Sequence, residues 1–240
     1  LLYPEYIQAK NLKYLQKQLP KSMRRSSHIL AVSEATKLDI TKYYGVDASK
    51  ITVVPNAVDL DHFNVSAKDR LDDVRTTHGL PESYILYVGN VEKQKNLIGL
   101  IDAYEKSYPE HQLPLVIVGA KGWNNDKLDE RLSQLPTLPI IFTDFVNDDD
   151  LPTIYTGASI FVYPSHYEGF GLPVLEAMAC GTPVICSNTS SLPEIAGDAA
   201  IQVTPGDIDE LANAMTPLIK DDALRTKLIA AGHEQAKKYT

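Results

Sequence analysis

This sequence predicts an α/β fold built on a parallel sheet covered on both faces. Three observations carry the prediction. Runs such as Ile85-Leu86-Tyr87-Val88-Gly89 and Leu115-Val116-Ile117-Val118-Gly119 are apolar without alternation and end on glycine, as strands buried on both faces do. Between such runs, apolar residues recur at helical spacing, as with Leu97, Leu100, Ile101 and Tyr104. Strand and helix then alternate to the end of the chain.

The first elements are less regular. Tyr6 to Leu19 is a Lys- and Gln-rich helical stretch. His28-Ile29-Leu30-Ala31-Val32 is a strand, and Ser33 caps a helix reaching Tyr44. Ile51-Thr52-Val53-Val54 is a second strand, followed by the turn-rich Pro55-Asn56-Ala57-Val58-Asp59. Residues 64–80 are polar and read as a linker or a surface helix. One strand–helix–strand unit cannot bury both its faces alone. Residues 1–66 are therefore expected to be the C-terminal portion of one domain plus a linker, with a second domain over 67–240.

The second domain opens with the strand at Tyr84–Gly89, and Asn96 is the expected N-cap of the helix after it. Further strands are expected at Leu115–Gly119, Pro139–Phe142, Ser159–Tyr163, Pro183–Cys186 and Ala199–Val203. Asp148, Asp149 and Asp150 are placed to cap a helix running through Tyr155, and helices from Asp207 and Asp221 close the chain.

Composition narrows the function. Among 240 residues, Lys and Arg number 23 and Asp and Glu 31, a net charge of −8. With 44% apolar and 22% charged residues the chain is globular rather than disordered. At about 100–200 residues per domain, it holds one large domain or one domain plus part of another. The acidic balance and the lack of a basic stripe argue against a nucleic-acid partner. No apolar run reaches the ~18 residues of a membrane helix. The opening Leu1-Leu2-Tyr3-Pro4-Glu5 lacks a signal peptide's basic start. Two cysteines, Cys180 and Cys186, make neither a disulfide scaffold nor a four-ligand zinc site. A reducing cytoplasm is the expected location.

Ligands of open parallel sheets bind at the carboxyl ends of strands, and two loops there stand out. The first is Tyr163-Pro164-Ser165-His166-Tyr167-Glu168-Gly169-Phe170-Gly171-Leu172-Pro173. Pro173 suits the first turn of the helix that follows. The amides of Phe170, Gly171 and Leu172 then lie at a helix N-terminus, and the glycines leave the backbone open to a ligand. Unpaired N–H groups and the positive dipole end favour an anion, typically phosphate. Glu168 and Glu176 frame this bend at a separation on the order of 10 Å. A carboxylate accepts two hydroxyl hydrogen bonds and suits a diol. Sugar, diphosphate and sugar would match that layout; solvated helix-start carboxylates are the competing reading. The second loop, Gly89-Asn90-Val91-Glu92-Lys93-Gln94-Lys95-Asn96, sets Lys95 beside another helix start, where its point charge suits a phosphate. Lys93 reads as a solvated side chain.

The block Glu168-Gly169-Phe170-Gly171-Leu172-Pro173-Val174-Leu175-Glu176 resembles the E-x7-E signature of the retaining glycosyltransferases of family 4, which have the GT-B fold. The same resemblance extends through Ala177 to Ile185, Leu192 to Ala200 and Val32-Ser33-Glu34. Val54 to Asp59 is similar to the interdomain segment, with Ala57 where glycine is usual. The resemblance implies two Rossmann-like domains, with the donor bound by the C-terminal one. It implies that Glu176 binds the ribose, Glu168 contacts the donor hexose, and Gly169 to Leu172 with Lys95 hold the diphosphate. The backbone near Val146 would face the base. Asn90 stands where the family often has an arginine, so another cation must replace it or phosphate binding is weaker. Lys95-Asn96 is closest to mannosyltransferase-like members and points to GDP-mannose, with a UDP-sugar as the alternative.

By that resemblance, Lys95 and Glu168 are the catalytic residues, transfer retains configuration at C1, and neither metal nor cofactor is needed. The partners it implies are a nucleotide sugar, a glycan or lipid-linked acceptor, and the rest of the N-terminal domain or a complementary chain. Any peripheral membrane contact would come through that domain. Asp59-Leu60-Asp61 and Asp207-Ile208-Asp209 imitate a metal-binding D-x-D, but their turn and helix-start contexts favour capping. His166 is read as a packed loop histidine, Cys180 and Cys186 as core, and Trp123 as a cover on a loop edge or partner contact. A non-catalytic nucleotide-sugar-binding module, or a donor domain that needs a separate N-terminal half, is the rival reading. A GT-B sugar-nucleotide epimerase is a third.

Overall fold

A computed structural model describes residues 3, 4, 7, 9–120 and 126–240; Trp123 lies outside them. The chain divides into two compact units, Leu1–Asn56 and Ala57–Thr240.

In the first unit, α1 (Ala9–Arg25), β1 (Ile29–Ala31), α2 (Glu34–Tyr44) and β2 (Ile51–Val53) follow in order. α1 continues past Pro20, six residues beyond the predicted end. Proline's fixed φ is helical, so one proline removes a ladder bond without dictating the end. Ser33 caps α2 by accepting the Thr36 amide at 3.0 Å, and Gly45 closes it at φ +65°. β1 and β2 pair in parallel, Ile29 opposite Ile51. Ala31, Ile40 and Ile51 form the core beneath them, with Met23 and Val46 packed alongside.

The second unit contains α3 (Leu71–His78), β3 (Ile85–Val88), α4 (Leu97–His111), β4 (Leu115–Val118), α5 (Asp126–Ser133), β5 (Ile140–Phe142) and α6 (Leu151–Gly157). β6 (Ile160–Tyr163), α7 (Leu172–Ala179), β7 (Val184–Ser187), α8 (Leu192–Ala196), β8 (Ala200–Val203), α9 (Ile208–Lys220) and α10 (Asp222–Ala236) complete it. Its six strands are all parallel, in the order β5-β4-β3-β6-β7-β8. β3, β4, β6 and β7 are the central strands and are buried almost throughout, which is why their sequences do not alternate.

The second compact unit begins at Ala57. Val58 donates to the Tyr239 carbonyl at 2.8 Å, and Phe63 packs edge-on against Tyr155, which ties 57–66 to the second unit. Residues 64–80 are mostly helical: a 3₁₀ segment, Val65–Arg70, runs into α3. Two predicted cap residues, Asn96 and Asp150, stand at the N-cap positions but make no side-chain cap bond. Asn96 sits at φ +56° and sends its amide to the Pro164 carbonyl at 3.1 Å instead of capping α4. Asp150 makes no cap bond to α6; it binds Arg70 at 2.7 Å and His78 at 3.0 Å, and the His78 bond foremost holds its carboxyl below the usual range. Asp207 and Asp221 do cap α9 and α10. No helix among the described residues is long and apolar enough to cross a membrane.

Candidate functional site

The strand order reverses between β3 and β6: β4 and β5 lie beyond β3, while β7 and β8 lie beyond β6. The loops leaving the carboxyl ends of β3 and β6 therefore diverge and leave a crevice, where open α/β sheets bind ligands. Both loops singled out from sequence are here.

Close backbone approach shapes the β3 side. A Cβ on Gly119, at φ +145°, would stand 2.2 Å from the Gly89 carbonyl oxygen, so only glycine fits. Asn90 is exposed, and its carbonyl accepts from Tyr87 Oη at 3.4 Å. A 3₁₀ turn, Lys93–Lys95, then carries Lys95 inward. Backbone bonds fasten the turn across the crevice: the His166 amide donates to the Gln94 carbonyl at 2.8 Å, beside the Asn96–Pro164 bond.

Lys95 Nζ reaches Glu168 Oε1 and Tyr163 Oη, each at 2.7 Å. The lysine and glutamate side chains are 15% and 11% exposed, so this pair is largely out of water. Tyr163 stacks on Tyr87 with centroids 6.3 Å apart. Burial, then the Glu168 charge, raises the Tyr163 hydroxyl far above its ordinary value, so it stays protonated.

The bend over Gly169 to Leu172 is anchored from below. Phe170 is buried and meets Tyr239 edge-on at 5.7 Å. Gly171 stands at φ +117° before α7, where a Cβ would come within 2.7 Å of Leu192. With the Phe170 side chain turned into the core, a ligand meets backbone here. The first amides of a helix have no intrahelical acceptor, so the start of α7 offers donors to an anion.

Glu176 makes its contacts elsewhere. It accepts from Tyr155 Oη at 2.8 Å. Burial raises its carboxyl above the usual range; the Tyr155 bond and His62 pull it down, and Asp148 pushes it up. His62 Nε2 is itself 3.1 Å from the Asp148 carbonyl. Val146 is buried beyond β5, in a loop held where the Gly119 amide donates to the Asp144 carbonyl at 3.1 Å.

The features set aside from sequence occupy structural places. Asp59 accepts the amides of Asp61 and His62, and Asp207 that of Glu210. Burial pushes both thiols, Cys180 and Cys186, up to about 12. Sequence reasoning did not find Tyr155 or Tyr163 as partners of the two glutamates. Each reads as one more apolar residue in a buried run, and only the fold shows where its hydroxyl ends.

A crevice at the reversal of a parallel sheet, with the Lys95–Glu168 pair in it, defines an open α/β ligand site. The group 1 glycosyltransferase family model matches residues 71–235, and the Glycosyltransferase Family 4 model matches residues 2–62. The chain belongs to the group 1 glycosyltransferases. It is 36% identical to O-antigen chain mannosyltransferase B of Escherichia coli over 240 residues, covering 99% of this chain and 63% of that protein. It is 31% identical to the E. coli serotype-specific mannosyltransferase WbdA, over 90% of this chain and 27% of that one. The chain thus spans less than two-thirds of these relatives. HepE of Anabaena, solved with UDP and glucose, superposes with a TM-score of 0.84 at 22% identity, over 98% of this chain and 64% of that one. The fold is of the GT-B type.

Proposed function

We propose that this chain is the donor-binding part of a retaining hexosyltransferase that takes mannose from GDP-mannose and passes it to a glycan or lipid-linked acceptor. Residues 67–240 are the donor domain in this reading, and residues 1–66 are the end of the acceptor domain with its linker. The observation that carries it is the Lys95–Glu168 pair beside the start of α7, at the sheet's reversal point. The mannosyltransferase relatives support the choice of sugar.

The chemistry follows from charge. Cleaving the C1–O bond puts negative charge on the departing diphosphate and positive charge on the ring. Lys95 and the amides of Phe170, Gly171 and Leu172 stabilise the diphosphate, and they do so more as its charge grows. Glu168, freed from Lys95, accepts hydroxyls of the hexose near the reacting carbon. Glu176 holds the ribose, and backbone near Val146 faces the base. Asn90 adds no cation, so Lys95 is the principal charge on the diphosphate. The scheme routes no step through a metal.

Titration calorimetry with GDP, UDP, GDP-mannose and UDP-glucose tests the reading. GDP-mannose should bind most tightly, and Lys95→Ala should weaken every ligand about tenfold or more. Absence of binding by all four, or equal binding by the variant, would overturn it.

A further inference from the structure

The loop after β7 carries Thr189, Ser190 and Ser191 in a row, and each hydroxyl bonds to the backbone of the loop after β6. Thr189 Oγ1 donates to the His166 carbonyl at 3.2 Å. Ser190 Oγ accepts the Glu168 amide at 2.9 Å and donates to the Thr189 carbonyl at 2.7 Å. Ser191 Oγ is buried and shares its proton between the carbonyls of Glu168, at 3.0 Å, and Phe170, at 2.6 Å. Both backbone polar groups of Glu168 are thus held by consecutive serines of a neighbouring loop. Ser190 adopts φ +56°, a left-handed conformation uncommon outside glycine. Such a conformation persists where its surroundings over-determine it, and here it turns the hydroxyl onto the Glu168 amide.

We infer that Ser190 and Ser191 are positioning residues that fix the Glu168 backbone, and so aim its carboxylate at the donor sugar. The consequence for sugar binding rests on the proposed role of Glu168; the clamp itself rests on geometry alone. Loops are ordinarily the mobile part of a site, and a carboxylate that must leave Lys95 and meet a hexose needs a fixed base.

Two measurements on the chain test this, each with Ser190→Ala and Ser190→Gly. Amide exchange at Glu168, followed by NMR, should quicken about tenfold in both variants, the loss expected for one hydrogen bond. Glycine adopts φ +56° freely, so protection kept in the glycine variant would mean that strain, not the hydroxyl, is at work, and would overturn the clamp. Calorimetry then compares GDP-mannose with GDP. The extra affinity contributed by the sugar should fall about tenfold while GDP affinity stays within about threefold. Quicker exchange with an unchanged sugar contribution, or equal loss for both ligands, would overturn the positioning role. If the unaltered chain binds neither ligand, the donor reading fails, and amide exchange still decides the clamp.

Discussion

Lys95 and Glu168 satisfy each other in a poorly hydrated crevice, so a diphosphate bound as proposed competes with a carboxylate for the lysine. Glu168→Gln removes the competitor and a negative charge facing the phosphates. GDP affinity should therefore rise severalfold in calorimetry, while sugar transfer falls, because the amide is a poorer acceptor for the hexose hydroxyls. A drop in GDP affinity would place Glu168 outside this competition. Glu176 carries a pH signature. Burial raises its folded pKa above the unfolded value, so the folded state keeps the proton longer. Its contribution to stability then declines as pH rises from about 4.3 through the raised value. Glu176→Gln should flatten that decline in urea unfolding and should also weaken nucleotide binding. An identical pH slope in the variant would contradict the burial argument. At this scale, Glu168, Glu176 and Lys95 were legible as candidates from their motif and loops. Their partners were not, since Tyr155 and Tyr163 come from separate elements and declare themselves only by where their hydroxyls end.

Elements are fixed by two kinds of signal, and these differ in how well they read. The strands β3, β4, β6 and β7 were plain because burial on both faces leaves uninterrupted apolar runs. The short helices α5 and α8 were not, since eight and five residues give too few turns to set a period. Caps fared unevenly for a physical reason. Asp221 accepts the amides of Ala223 and Leu224, whereas Asn96 and Asp150 are drawn to partners on other elements. Asp221→Ala should cost about 1 kcal/mol, seen as a lower urea midpoint. Gly119→Ala should cost about 2–4 kcal/mol, because the new methyl meets the Gly89 carbonyl rather than a movable side chain. A Gly119→Ala protein of unaltered midpoint would mean that the β3 and β4 ends are not so closely apposed.

Across the molecule, the sequence showed that a parallel sheet exists but not the order of its strands. That order depends on which crossover goes to which side, and only the order places the loops after β3 and β6 together. Net charge gave no positive pointer either: at −8 the chain repels a diphosphate at long range, so the proposed recognition has to rest on local donors. All the residues assigned to the donor lie within Ala57–Thr240, whose start is tied near its end by the Val58–Tyr239 bond. A fragment of residues 57–240 should fold cooperatively and bind GDP within about threefold of the whole chain, since no binding contact is lost. An unfolded fragment, or one that does not bind, would show that the first unit completes the donor site.

The central claim is that one bend and one lysine hold a diphosphate. A crystal structure of the chain with GDP tests it most directly. The account predicts phosphate oxygens within about 3 Å of the Gly171 and Leu172 amides and of Lys95 Nζ, with Glu176 on the ribose. GDP bound away from the bend, or Lys95 still paired with Glu168 beside it, would contradict the account.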